Sequence, residues 1–79
     1  MTNLTEALTA TIRAEMARRR LPLARLAPVL GVSTAGVSRR MTGHTPFTVD
    51  ELFAIAELLG IDVAELLQPR SLQLLGATA

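Results

Sequence analysis

The stretch that most constrains the fold is Leu26-Ala27-Pro28-Val29-Leu30-Gly31-Val32-Ser33-Thr34-Ala35-Gly36-Val37-Ser38-Arg39-Arg40. Leu26, Ala27 and Leu30 share one helical face. Gly31 follows where a helix needs a left-handed exit residue, a conformation glycine reaches without a Cβ clash. Val32 plugs the corner, and Ser33 is an N-cap whose hydroxyl can take a free backbone N–H. Val37 then sits one turn into a second helix and points back at Leu26, Ala27 and Leu30. Small Ala27 lets the two helices cross closely. The outer side of the second helix is polar and basic.

Seventy-nine residues make one domain, with no room for a second core. A chain this small is marginal alone, so a homodimer is expected. Phe47 and Phe53 are the only aromatics, and the core has to be built from Leu, Ile, Val, Ala and Met. The absence of cysteine excludes disulfides and thiolate metal sites. His44 is the one histidine, which argues against a protein-only zinc site. No cofactor, metal or small-molecule ligand is expected. Leu4 to Met16 is interrupted by Glu6, Arg13 and Glu15, so neither a signal peptide nor a membrane span is read there. The expected location is the cytoplasm. No nucleophile accompanies His44, and an enzyme is not expected.

The remaining segments read as helices around the corner. Helix 1 is expected from Asn3 to about Arg19, with Asn3 and Glu6 at capping-box spacing and Leu4, Leu8, Ile12 and Met16 as its buried stripe. Helix 2 is expected from about Pro22 to Leu30. Pro28 should remove the bond to the carbonyl of Ala24, giving a kink or a late start. Helix 3 runs from about Thr34 to Thr42. At 100° per residue, Thr34, Ala35, Ser38, Arg39 and Thr42 share one face, with Val37 and Met41 opposite. Gly36 weakens this helix but allows close approach to helix 2. Gly43-His44-Thr45-Pro46-Phe47 is a loop, with Phe47 tucked onto the core. Thr48 with Glu51 caps helix 4, Val49 to about Leu59, and Leu52, Ile55, Ala56 and Leu59 form its stripe. Gly60 ends it. Asp62 and Glu65 form another capping box for helix 5, Val63 to about Gln68, which Pro69 stops. Residues 1–68 form the domain, and 69–79 are an apolar tail whose Leu72, Leu74 and Leu75 need a cover.

Net charge is +1, but it is unevenly spread. Residues 1–45 carry seven arginines against Glu6 and Glu15, a balance of +5; residues 46–79 carry Arg70 against five acids, a balance of −4. The basic half contains the corner, and such asymmetry suggests a polyanion partner. Arg18-Arg19-Arg20 has two readings of equal weight, a favourable place at a helix C-terminus and a phosphate contact. His44 is read as a solvated loop residue, with a phosphate contact as the alternative.

Ala27, Gly31 and Val37 at this spacing, with Leu26, Leu30 and Val32 between them and Met41-Thr42-Gly43 after, resemble the helix-turn-helix of the lambda repressor and Cro (XRE-type) family. Leu52, Ile55-Ala56, Leu59-Gly60-Ile61 and Leu66 also fit its pattern, so the resemblance runs from about Leu8 to Leu67. It implies an all-α, five-helix lambda-repressor-like DNA-binding domain with a short C-terminal tail, its helix-turn-helix at about 22–42. It also implies that helix 34–42 enters the major groove and that Thr34 and Ala35 contact bases. Three residues depart from the family. Pro22 and Leu23 stand where it has a Ser or Thr cap and a phosphate-binding Gln, and Arg40 stands where it buries an aliphatic residue. The stem of Arg40 is expected to cover the core edge while its guanidinium reaches solvent.

On this basis Arg39 is the strongest base reader, because its planar fork matches guanine O6 and N7. Thr34, Ala35 and Ser38 complete the base-contacting set. Arg19, Arg20, Arg25, Ser33, Arg40, Thr42 and His44 are the candidate phosphate contacts. A two-fold dimer would use Val63, Leu67, Leu72, Leu74 and Leu75, and its operator would be pseudo-palindromic double-stranded DNA. The resulting expectation is a Cro-like or small phage-type repressor. Two other readings stay open: an antitoxin that binds DNA and a toxin, and a module that docks a protein such as polymerase.

Overall fold

The computed structural model describes residues 4–67. Five α-helices follow one another: α1 Leu4–Arg18, α2 Leu26–Leu30, α3 Thr34–Met41, α4 Val49–Leu59 and α5 Val63–Leu67. A 3-10 turn, Leu23–Arg25, runs directly into α2. Asn3, Gln68, Pro69 and the tail 69–79 with Leu72, Leu74 and Leu75 lie outside the described residues. The architecture is all-helical, as the periodicity of the sequence requires.

The fourfold spacing along α1 buries Leu8, Ile12 and Met16, and Ile12 and Met16 are sealed from solvent. Leu26 of α2, Val37 and Met41 of α3, Ile55, Ala56 and Leu59 of α4, and Leu66 of α5 join them in one core. Phe47 packs against the edge of this core from its loop, whereas Phe53 is exposed. α2 sits between α3 and α4, and α5 closes the other side against α1 and α4. The corner is therefore held from below by the later helices.

Pro28 sets where α2 begins. The proline cannot donate to Ala24, and the chain takes a tighter 3-10 turn over Leu23–Arg25 before α2 starts at Leu26. Pro28 then falls in the first turn of α2, where the first N–H groups have no helical partner anyway. The expected late start is what the chain adopts.

Four of the helices end in one way. After α2, Gly31 takes φ +68, Val32 N–H donates to the Ala27 carbonyl at 3.0 Å and Gly31 N–H donates to the Pro28 carbonyl at 3.3 Å. This is a Schellman motif, with an apolar residue placed just beyond the exit to return to the core. Gly43 and Gly60 end α3 and α4 with the same pair of backbone bonds, followed by apolar Ile61 after Gly60 but by exposed His44 after Gly43. α1 ends with an arginine in that role. Arg20 has φ +56, Arg20 N–H donates to Ala17 at 3.0 Å and Leu21 N–H donates to Met16 at 2.9 Å. The spacing of the sequence gives no sign of a left-handed Arg20.

Thr48 and Glu51 make the expected reciprocal box at α4, through Glu51 N–H to Thr48 Oγ1 at 3.1 Å and Thr48 N–H to Glu51 Oε1 at 3.0 Å. The box expected at α5 is different. There the bond is within the backbone, from Glu65 N–H to the Asp62 carbonyl at 2.9 Å.

Candidate nucleic-acid interface

α3 is built to show one face and bury the other. Ser33 caps it by accepting the Gly36 N–H on its Oγ at 3.1 Å, which fixes the first turn. Gly36, Val37 and Met41 are buried, while Thr34, Ala35, Ser38, Arg39 and Thr42 are exposed. The face read from the helical period is therefore the solvent face. Gly36 meets the corner rather than α2. A Cβ built there would stand 3.0 Å from the Val32 Cβ and 3.2 Å from its Cγ2.

The exit of α3 is tied at its surface. The Thr42 hydroxyl donates to the Ser38 carbonyl at 2.9 Å, with the Arg39 carbonyl at 3.2 Å sharing the same proton. His44 Nδ1 lies 2.9 Å from Thr42 Oγ1. The Arg39 carbonyl also accepts from His44 N–H at 2.9 Å and Thr45 N–H at 3.2 Å. Thr42 thus ties the exit of α3 to its loop while staying exposed on the outer face.

The arginines divide into bound and free. Arg13, Arg20, Arg25 and Arg39 are exposed and make no side-chain hydrogen bond or ion pair among the described residues. Arg25 lies in the 3-10 turn that packs against α3. Arg19, just beyond α1, is occupied at the helix end, where its guanidinium pairs with the Glu15 carboxylate and donates to the Glu15 carbonyl at 2.9 Å. Arg18 shares that carboxylate at 3.2 Å. Of the triplet, then, Arg18 and Arg19 favour the helix-end reading and Arg20 is left unpaired.

Arg40 corrects the sequence expectation most directly. Its guanidinium is not left to solvent alone but is turned onto two acceptors. Nε donates to Glu51 Oε1 at 3.0 Å and Nη1 donates to the Gly36 carbonyl at 3.0 Å. The two side chains are only 15% and 13% exposed. The hydrogen bond from Arg40 holds the Glu51 carboxyl below its ordinary pKa, against the opposing effect of burial; Thr48 N–H and the arginine charge add to the lowering. Sequence reading missed Glu51, which looked sufficiently explained as a cap.

Of the expected dimer residues, Val63 is partly buried against the core and Leu67 is exposed. Among the described residues no group of acids, histidine or cysteine could hold a metal ion, and no helix is long and apolar enough to cross a membrane. A family model described as "Helix-turn-helix" matches residues 12–66. No curated protein and no solved structure gives a significant match.

Proposed function

Because the chain belongs to the helix-turn-helix family of lambda repressor/Cro (XRE) type, a family of DNA-binding regulators, we propose that it is a sequence-specific transcriptional regulator. In this reading α3 lies in the major groove, where each base pair carries its own pattern of donors and acceptors. The observation that carries the proposal is Arg39, exposed and unpaired on the outer face of α3. Its fork serves guanine O6 and N7, while Thr34, Ala35 and Ser38 supply hydroxyl and methyl contacts. Arg20, Arg25, Ser33 and His44 hold the backbone, together with the α3 amides left free at its N-terminus.

One helix of this length reads few base pairs. A two-fold dimer would set two of them about 34–36 Å apart on a pseudo-palindromic operator. Exposed Leu67, Val63 and the tail leucines Leu72, Leu74 and Leu75 are the proposed dimer face. The role is that of a Cro-like or small phage-type repressor, working in a bacterial cytoplasm or a phage-infected cell.

A second reading has one observation in its favour. Val49 and Phe53, one helical turn apart on α4, are 67% and 56% exposed. Large apolar side chains held in water suit a protein partner, as in an antitoxin or a docking module.

Selection from a randomised duplex library at two salt concentrations separates these readings. The regulator enriches a palindromic site that survives the higher salt, and Arg39→Ala then loses about 1–3 kcal/mol of discrimination at one base pair. Binding that vanishes with salt and selects nothing is phosphate attraction alone, and it would leave the protein-docking reading.

A further inference from the structure

Arg39 and Arg40 are neighbours on α3 with opposite fates. Arg39 is exposed and unpaired, while Arg40 turns inward to the first turn of α4. Among the described residues, Arg40–Glu51 is the one ion pair that joins two helices; the other two sit at the C-terminal end of α1, Arg18 in its last turn and Arg19 just beyond it. We propose that Arg40 and Glu51 form a positioning lock that sets how α3 is presented to DNA and thereby determines the base discrimination made through Arg39. This inference rests on the DNA-binding reading above.

The lock has three attachments. Arg40 Nη1 holds the Gly36 carbonyl one turn back in α3, at the place where Gly36 is seated on Val32. Arg40 Nε crosses the 42–48 loop to Glu51 Oε1. The same oxygen receives Thr48 N–H, so it is fixed by the cap of α4 before it meets the arginine. A guanidinium has a rigid planar fork, and using two of its edges on fixed acceptors leaves α3 little freedom to roll or slide. α4 is itself anchored in the core through Ile55, Ala56 and Leu59. The presentation of Arg39 is thus referred, through its neighbour, to the most buried part of the molecule.

An ion pair this enclosed adds little net stability, because the two charges lose their hydration. Its effect is to favour one arrangement of the two helices over others. Arg40 Nη2 makes no hydrogen bond among the described residues, so the salt slope is what separates a phosphate contact from the lock.

The test uses the full chain and its own selected site. Dissociation constants are measured over a salt series, on that site and on single-base variants of it, for the parent, Arg40→Met and Glu51→Gln. Gln keeps an oxygen that can accept Thr48 N–H, and Met keeps most of the arginine stem. Amide hydrogen exchange across α1 and α3 is measured on the same proteins. The lock predicts that both variants lose roughly five- to tenfold in discrimination, with an unchanged salt slope. Exchange should rise in α3 and stay within about twofold in α1. A salt slope reduced by about 0.9, with discrimination intact, would make Arg40 a phosphate contact and overturn the lock. Unchanged discrimination and slope in folded variants would also overturn it. Should the parent select no site, the DNA-binding reading fails, and the exchange arm decides the lock by itself: equal acceleration in α1 and α3 would mean general loosening and no positioning role.

Discussion

Val32 and Gly36 touch across the corner so closely that a methyl group on Gly36 would stand 3.0 Å from the Val32 Cβ. Val32 cannot easily yield, because its own N–H is bonded to Ala27 in the turn. Gly36→Ala therefore sets two effects against each other. Alanine favours the helix by about 1 kcal/mol over glycine, while overpacking at a fixed contact costs about 1–3 kcal/mol. We expect a net loss of about 1 kcal/mol in urea unfolding. Val32→Ala combined with Gly36→Ala should recover part of it, giving a coupling energy of about 1 kcal/mol in the double-mutant cycle.

Arg20 gives a prediction of the opposite sign. A left-handed residue with a Cβ costs roughly 1–2 kcal/mol relative to its right-handed form, and glycine escapes this. Arg20→Gly should raise stability by about 1 kcal/mol, measured as a higher denaturation midpoint with an unchanged slope. The same variant should bind DNA more weakly, with its salt slope lowered by about 0.9, because a phosphate contact has been removed. Stabilisation without any change in salt slope would take Arg20 out of the proposed interface.

Glu51 gives the pH dependence. Its carboxyl is held below the ordinary pKa by the hydrogen bond from Arg40. A group depressed in the folded state contributes stability above its unfolded pKa, about 4.3. That contribution disappears as pH falls through the lower folded value. Denaturant melts at pH 7 should show Glu51→Gln less stable than the parent. The gap should narrow below about pH 4 and close in stronger acid. A gap that stays constant from neutral pH down to pH 3 would mean that the carboxylate charge contributes nothing.

Ser33 supplies the cap of the proposed recognition helix, taking Gly36 N–H at 3.1 Å. Ser33→Ala should cost about 1 kcal/mol in stability. Because the lost bond belongs to the first turn of α3, protection of the α3 amides should fall more than that of α1 in hydrogen exchange.

The residues that determined their own outcome are those whose signal is local. The fourfold stripe of α1, the Gly31 exit, the Ser33 cap and the Thr48–Glu51 box all depend on neighbours within a turn or two, and periodicity and spacing carry that information. The late start of α2 follows from Pro28 alone, since a missing N–H needs no partner to be felt. The exposed face of α3 follows from which of its residues are apolar. Tertiary structure decided where long side chains end. Arg40 could cover the core and reach water, or cover the core and find an acid. The choice fell to Glu51, brought within 3.0 Å by the packing of α4 beneath the corner. Nothing in the spacing of two residues eleven apart across a loop encodes that meeting. The seat of Gly36 on Val32, four residues back in the corner, is by contrast a local contact, whereas the left-handed Arg20 turns the chain so that Leu21 packs against the core, and a single stretch of sequence holds only its own share of the contacts that decide such a reversal.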